Sequence, residues 1–159
     1  MKAASLNEVK KELAELDVKS LREICMRVAK YKVENKELLT YLLFEAHDES
    51  NYVSTVKEEM DTLFHTLPSG NVYYIKKGLR RILRILNKQI RYSGNKQSEV
   101  ELRIYFCMKM KEAEVPFRSS TVLYNLKEQQ LKKINSVLNQ LPEDLQFDYQ
   151  KDIATISKA

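Results

Sequence analysis

Residues 72–95 read VYYIKKGLRRILRILNKQIRYSGN, and this run decides the fold class. Val72, Ile75, Leu79, Ile82, Leu83, Leu86 and Ile90 recur at intervals of three and four, the period of an amphipathic helix and not of a strand. Ser93-Gly94-Asn95 then supplies the small residues that end a helix in a left-handed cap. At 100° per residue from Val72, the apolar set occupies about 280° through 0° to 20°. Lys76, Lys77, Arg80, Arg81, Arg84, Lys88 and Arg91 occupy about 40° to 180°. One side of the helix is therefore core. The other is a cationic stripe about 20 Å long at 1.5 Å rise per residue. Tyr73 lies inside the basic sector, with Tyr74 and Tyr92 at its rim.

The same period extends in both directions and predicts about eight helices. Ser5 with Glu8 forms a capping box ahead of Leu6, Val9, Leu13 and Leu16, and Asp17 caps a second helix carrying Leu21, Ile24, Val28 and Tyr31. The third runs from about Asn35 to Ala46 and is apolar on nearly all sides, which places it in the centre of a fold. The fourth runs from about Asn51 to Leu67, where Pro68-Ser69-Gly70 stops it. After the basic fifth helix, Gln97 to about Glu114 is again apolar most of the way round, and Pro116 breaks it. A seventh helix runs from near Ser119 or Ser120 to Leu141, and Pro142 opens a short last one.

Connections of a few residues make consecutive helices antiparallel neighbours. The expectation is one all-α domain over residues 1–159, its helical hairpins closed into a compact bundle or stacked as a short α-solenoid similar in order to armadillo and HEAT arrays. A weak internal echo bears on that choice. Lys30-Tyr31, Asn35-Lys36, Glu37-Leu38 and Tyr41 find counterparts in Arg91-Tyr92, Asn95-Lys96, Glu101-Leu102 and Tyr105. A duplication of helical hairpins would favour stacking; chance recurrence of common residues is the alternative. The stretch KYKVENKELLTYLLFEAHDE, Lys30 to Glu49, resembles segments of small all-helical bacterial proteins of no assigned function. That resemblance implies a helical fold and no activity.

Composition narrows the function classes. Three Gly and three Pro in 159 residues leave too few turns for an all-β fold and too little glycine for phosphate-cradling loops. No P-loop, Gly-x-Gly-x-x-Gly, Gly-x-Ser-x-Gly or His-Glu-x-x-His pattern occurs, and the expectation is a protein that is not an enzyme and needs no cofactor. Asp61 and His65 share a helix face with Glu58, but that face lies opposite the apolar stripe and reads as solvent, so no metal site is expected. Cys25 and Cys107 sit among apolar residues and read as reduced core thiols. The N-terminal MKAASLNEVKKELAEL has no apolar signal core, and no run is long enough to span a bilayer. These features point to a cytoplasmic chain with no membrane partner.

The net charge of +5 is unevenly spread: residues 1–61 carry −3, residues 62–98 carry +8 with no acid at all, and residues 99–159 are neutral. Seven like charges along one helix repel, so an anionic neighbour is expected. The reading preferred is a non-enzymatic interaction or scaffold module, in which Lys76, Lys77, Arg80, Arg81, Arg84, Lys88, Arg91 and Tyr73 dock an acidic protein surface or another copy of the chain. The alternative is nucleic-acid binding without sequence specificity, cations on phosphates and tyrosines on bases. Two competing outcomes leave no site: a plainly solvated face, or neutralisation by Glu45, Asp48, Glu49, Glu58, Glu59 and Asp61, which precede the basic helix.

Overall fold

The computed structural model describes residues 2–158. These form eight α-helices and no strand: α1 (Leu6–Ala14), α2 (Val18–Tyr31), α3 (Val33–Thr40), α4 (Glu49–His65), α5 (Val72–Ser93), α6 (Lys96–Glu112), α7 (Thr121–Leu138) and α8 (Glu143–Ser157). A π-helical turn spans Tyr41–Glu45, and a 3₁₀ turn spans Phe117–Ser119. The all-α class is thereby established. The helix ends follow local chemistry. Ser5 accepts from the Glu8 amide while Glu8 reaches back to the Ser5 amide, Asp17 caps α2 through the Ser20 amide, and Gly94 closes α5 at φ 63°.

The sequence shows no linker, yet the chain divides into two compact units, Met1–Phe44 and Glu45–Ala159. In the first, α2 packs against α3. Its described core is Ala29 and Tyr41. The expected central position of the third helix does not hold. α3 buries no residue, and Leu42, Leu43 and Phe44 in the π-helical turn after it lie exposed. The apolar ring of residues 38–44 finds too few helix neighbours within a unit this small, so most of its faces stay open. Cys25 departs from its expected burial for the same reason: it lies on α2, where only Ala29 is buried.

The second unit is built around α6, which packs against α4, α5, α7 and α8. This is why α6 carries apolar residues on most of its circumference. Val100, Leu102, Phe106 and Met110 are all fully buried, and the Phe106 ring meets Phe64 of α4 at 5.6 Å between centroids. α5 contributes Ile75, Leu79, Ile82, Leu86 and Ile90, five of the seven apolar positions read from its periodicity. Gly78 has a steric reason to interrupt this good helix former. A Cβ there would lie 2.6 Å from Leu67 Cδ1, so the glycine lets the α4–α5 connection lie close against α5.

Polar contacts lock the helices in rotation. Tyr105 of α6 donates its hydroxyl to Asp61 of α4 at 2.7 Å, Lys109 reaches the same carboxylate at 3.0 Å, and Lys57 pairs with Glu101. Of the α4 face that reads as solvent in the sequence, Glu58 and His65 are exposed as expected, while Asp61 is held to α6. At the far end of the unit, Lys111 and the buried Lys127 donate to the Thr155 and Ser157 carbonyls, placing two cations at the negative end of α8.

Candidate functional site

The cationic stripe of α5 keeps the direction its periodicity gives it. Lys77, Arg80, Arg81, Arg84 and Arg91 are exposed; Lys76 and Lys88 are half-buried. Among the described residues, no carboxylate forms an ion pair with Lys77, Arg80, Arg81, Arg84 or Arg91. The stem of Lys76 folds back and sets its ammonium 5.5 Å from the centre of the Tyr73 ring.

Four of the six acids that precede α5 have other engagements, and Glu45 and Glu58 form no ion pair with α5 among the described residues. Asp61 is held by Tyr105 and Lys109. Glu49 accepts from the Ser93 hydroxyl and, at 2.5 Å, from the Ser98 hydroxyl. Glu59 accepts from the Gln89 amide at 3.3 Å, and Asp48 caps the start of α4. Glu49 and Glu59 do reach α5, but at its polar edge and not among the arginines.

Two open grooves flank the ridge, and Arg80 and Arg84 line both. One, about 640 Å³, lies toward the end of α4, where Leu63, Leu67 and Pro68 face Tyr73 and Tyr74. Its floor is apolar and its rim basic. Tyr73 and Tyr74 are 58% and 54% exposed and meet edge to face at 5.3 Å, so two large rings stand in water beside the cations. The other groove, about 770 Å³, lies toward α6 between Arg91 and Arg103.

Arg103 is a residue the sequence reading did not single out. It is buried on α6, with Nε at 2.8 Å from Glu99, and Nη1 donating to Asn87 at 3.0 Å and to Gln130 at 2.9 Å. It thus joins α5, α6 and α7 under the ridge. Its signal in the sequence was a basic residue at i+4 from an acid on a helix otherwise reading as core. Cys107, on the same helix, is inert as a nucleophile: burial pushes its thiol up to about 12, against a smaller opposing pull from Lys127 and Arg103. Among the described residues no three His, Cys, Asp or Glu side chains gather as a metal site, and no helix is long and apolar enough to cross a membrane.

The arrangement defines a class: an all-helical protein presenting an unpaired arginine ridge beside an apolar, aromatic-walled groove. Comparison with protein-family models, with curated proteins and with solved structures finds no match to this chain.

Proposed function

We propose that the chain is a non-enzymatic interaction module that binds an anionic macromolecular surface through the α5 ridge. The observation that carries this reading is that five cations on one helix, Lys77, Arg80, Arg81, Arg84 and Arg91, have no carboxylate partner among the described residues. Such a row repels itself, and an external anion relieves that repulsion. Arginine dominates the row, and its planar fork matches carboxylate and phosphate oxygens in pairs. The preferred partner is an acidic protein surface, because the adjoining groove offers an apolar floor as well as charge.

A second reading, nucleic-acid binding without sequence specificity, is favoured by Tyr73 and Tyr74, whose exposed rings stand where bases could stack beside a phosphate track. The test is binding of fluorescent polyglutamate and of a mixed-sequence single strand at low salt, repeated with Arg80→Glu/Arg84→Glu. Engagement of about five phosphates would give a salt slope near −3.5 for a single strand. Absence of binding to both probes, or binding unchanged by the charge reversal, removes the ridge as the contact surface.

A further inference from the structure

The ridge has a complement on the same chain. α8 carries Asp144, Asp148 and Asp152 at i, i+4 and i+8, all exposed, and among the described residues none is ion-paired. Four-residue steps on a helix align on one face, so these acids form an anionic stripe about 12 Å long. Arg80, Arg84 and Lys88 have the same spacing on α5. Between Asp144 and Asp148 stands Phe147, 72% exposed, the most exposed aromatic ring of the second unit. Lys151 also stands beside Phe147, but with Asp144, Asp148 and Asp152 the face stays net negative, and an exposed phenylalanine on such a face matches a groove floored by Leu63, Leu67 and Pro68 and rimmed by arginines.

α5 packs on α4 and α6, and α8 on α6 and α7, so the two helices share α6 as a neighbour. Among the described residues no α8 aspartate pairs with an α5 cation, which leaves both stripes to other molecules. Resting on the reading of α5 as an anion-docking ridge, we propose that its partner is a second copy of the chain, whose α8 seats Phe147 in the groove beside Gly78 and lays its aspartates along the ridge. A parallel course of the two helices fits the charges. With Phe147 level with Gly78, equal rise per residue brings Asp144 next to Lys76 and Lys77, Asp148 next to Arg80 and Arg81, and Asp152 next to Arg84. An antiparallel course would bring Asp152 to Tyr73, away from the cations. The contact joins two different patches, so it is heterologous, and each molecule keeps one free donor and one free acceptor surface unless a ring closes.

Sedimentation velocity on the full chain tests this. The wild type should associate with rising concentration at low salt and dissociate at high salt. Arg80→Glu/Arg84→Glu and, separately, Asp144→Arg/Asp148→Arg should each weaken association more than about tenfold, with far-UV circular dichroism unchanged since all four positions are exposed. The decisive arm mixes the two variants. Each is monomeric alone, yet the intact ridge of one meets the intact α8 of the other, and a one-to-one complex forms. Phe147→Ser should weaken that complex without abolishing its salt dependence. A wild type monomeric at low salt overturns the proposal, as does association that survives both reversals or a mixture that stays monomeric. If the monomeric wild type still binds polyglutamate or a nucleic-acid strand, and loses it in Arg80→Glu/Arg84→Glu, self-docking fails while the ridge stands as an anion-binding surface.

Discussion

Replacing Arg103 by methionine tests the polar joint beneath the ridge. Arg103 is 5% exposed, and its guanidinium holds Glu99, Asn87 and Gln130 together. Methionine fills much of the same volume without donors. Three losses follow. The charge-assisted contacts to Glu99 contribute about 1.5–3 kcal/mol when well buried. The Glu99 side chain is 23% exposed and can recover some water, so the lower end of that range applies. Gln130 is 1% exposed, and its Oε1 would be orphaned, at about 1–3 kcal/mol. Asn87 is half-buried and rehydrates at small cost. The expected loss is about 3 kcal/mol, near the low end for breaking a sealed buried pair. At a urea slope of about 2 kcal/mol/M, the midpoint falls by about 1.5 M in circular-dichroism melts. Arg103→Met/Gln130→Leu removes the orphaned acceptor as well, so the double variant should fall short of the sum of the two single losses. A loss below about 1 kcal/mol for Arg103→Met, or a double variant worse than the sum, would refute this account of how α5, α6 and α7 are joined.

Three further outcomes are expected. Burial alone would raise the Asp61 carboxyl, but the Tyr105 hydroxyl and Lys109 together hold it below its usual value. Its contribution is therefore complete above about pH 4 and is lost as pH falls through the lowered value, so Asp61→Asn should narrow the stability gap between pH 7 and pH 3 in urea melts. Thiol titration of the native protein at pH 8 should count one cysteine, the exposed Cys25, and two after unfolding, because burial pushes the Cys107 thiol up to about 12. Leu79→Ala, at a fully buried site on α5, should cost about 2–5 kcal/mol in the same urea melts, whereas Leu43→Ala, 62% exposed, should change stability by less than about 0.5 kcal/mol.

What could be read from the chain alone depended on how local the cause was. The Ser5–Glu8 box, the Asp17 cap and the Gly94 stop act within a few residues of themselves, and each is found where its residues stand. The burial of α6 was legible too, because a helix apolar on most sides must meet several neighbours, and it meets four. The same logic failed for residues 38–44. Their composition states a need for burial, but meeting that need depends on how much structure the unit supplies, and the first unit has one hairpin and a short helix. Cys25 shares that history. On the polar face of α4, Glu58 and His65 stand in water as read, but the partners of Asp61 were not legible, because Tyr105 and Lys109 lie more than forty residues away.

The unpaired state of the ridge has the same kind of cause. Proximity in sequence put an acidic run just ahead of a basic helix, and hairpin topology made α4 and α5 neighbours. Neighbouring helices still present only one sector each to the other, and rotation about their axes selects which. The apolar stripes set that rotation. Once Met60 and Phe64 of α4 face inward, Asp61 is turned toward Tyr105, and once Leu79 and Ile82 of α5 face inward, Arg80, Arg81 and Arg84 are turned to water. Glu59 alone of the last α4 acids bonds α5, and it finds Gln89, which stands on the flank between core and ridge. Burying the apolar stripe thus prevents the charges from cancelling inside the unit. The repulsion among Arg80, Arg81 and Arg84 remains in the folded chain as free energy that an outside anion can release. Removing it by Arg81→Gln should leave the melting midpoint unchanged or slightly raised, and weaken whatever binds the ridge.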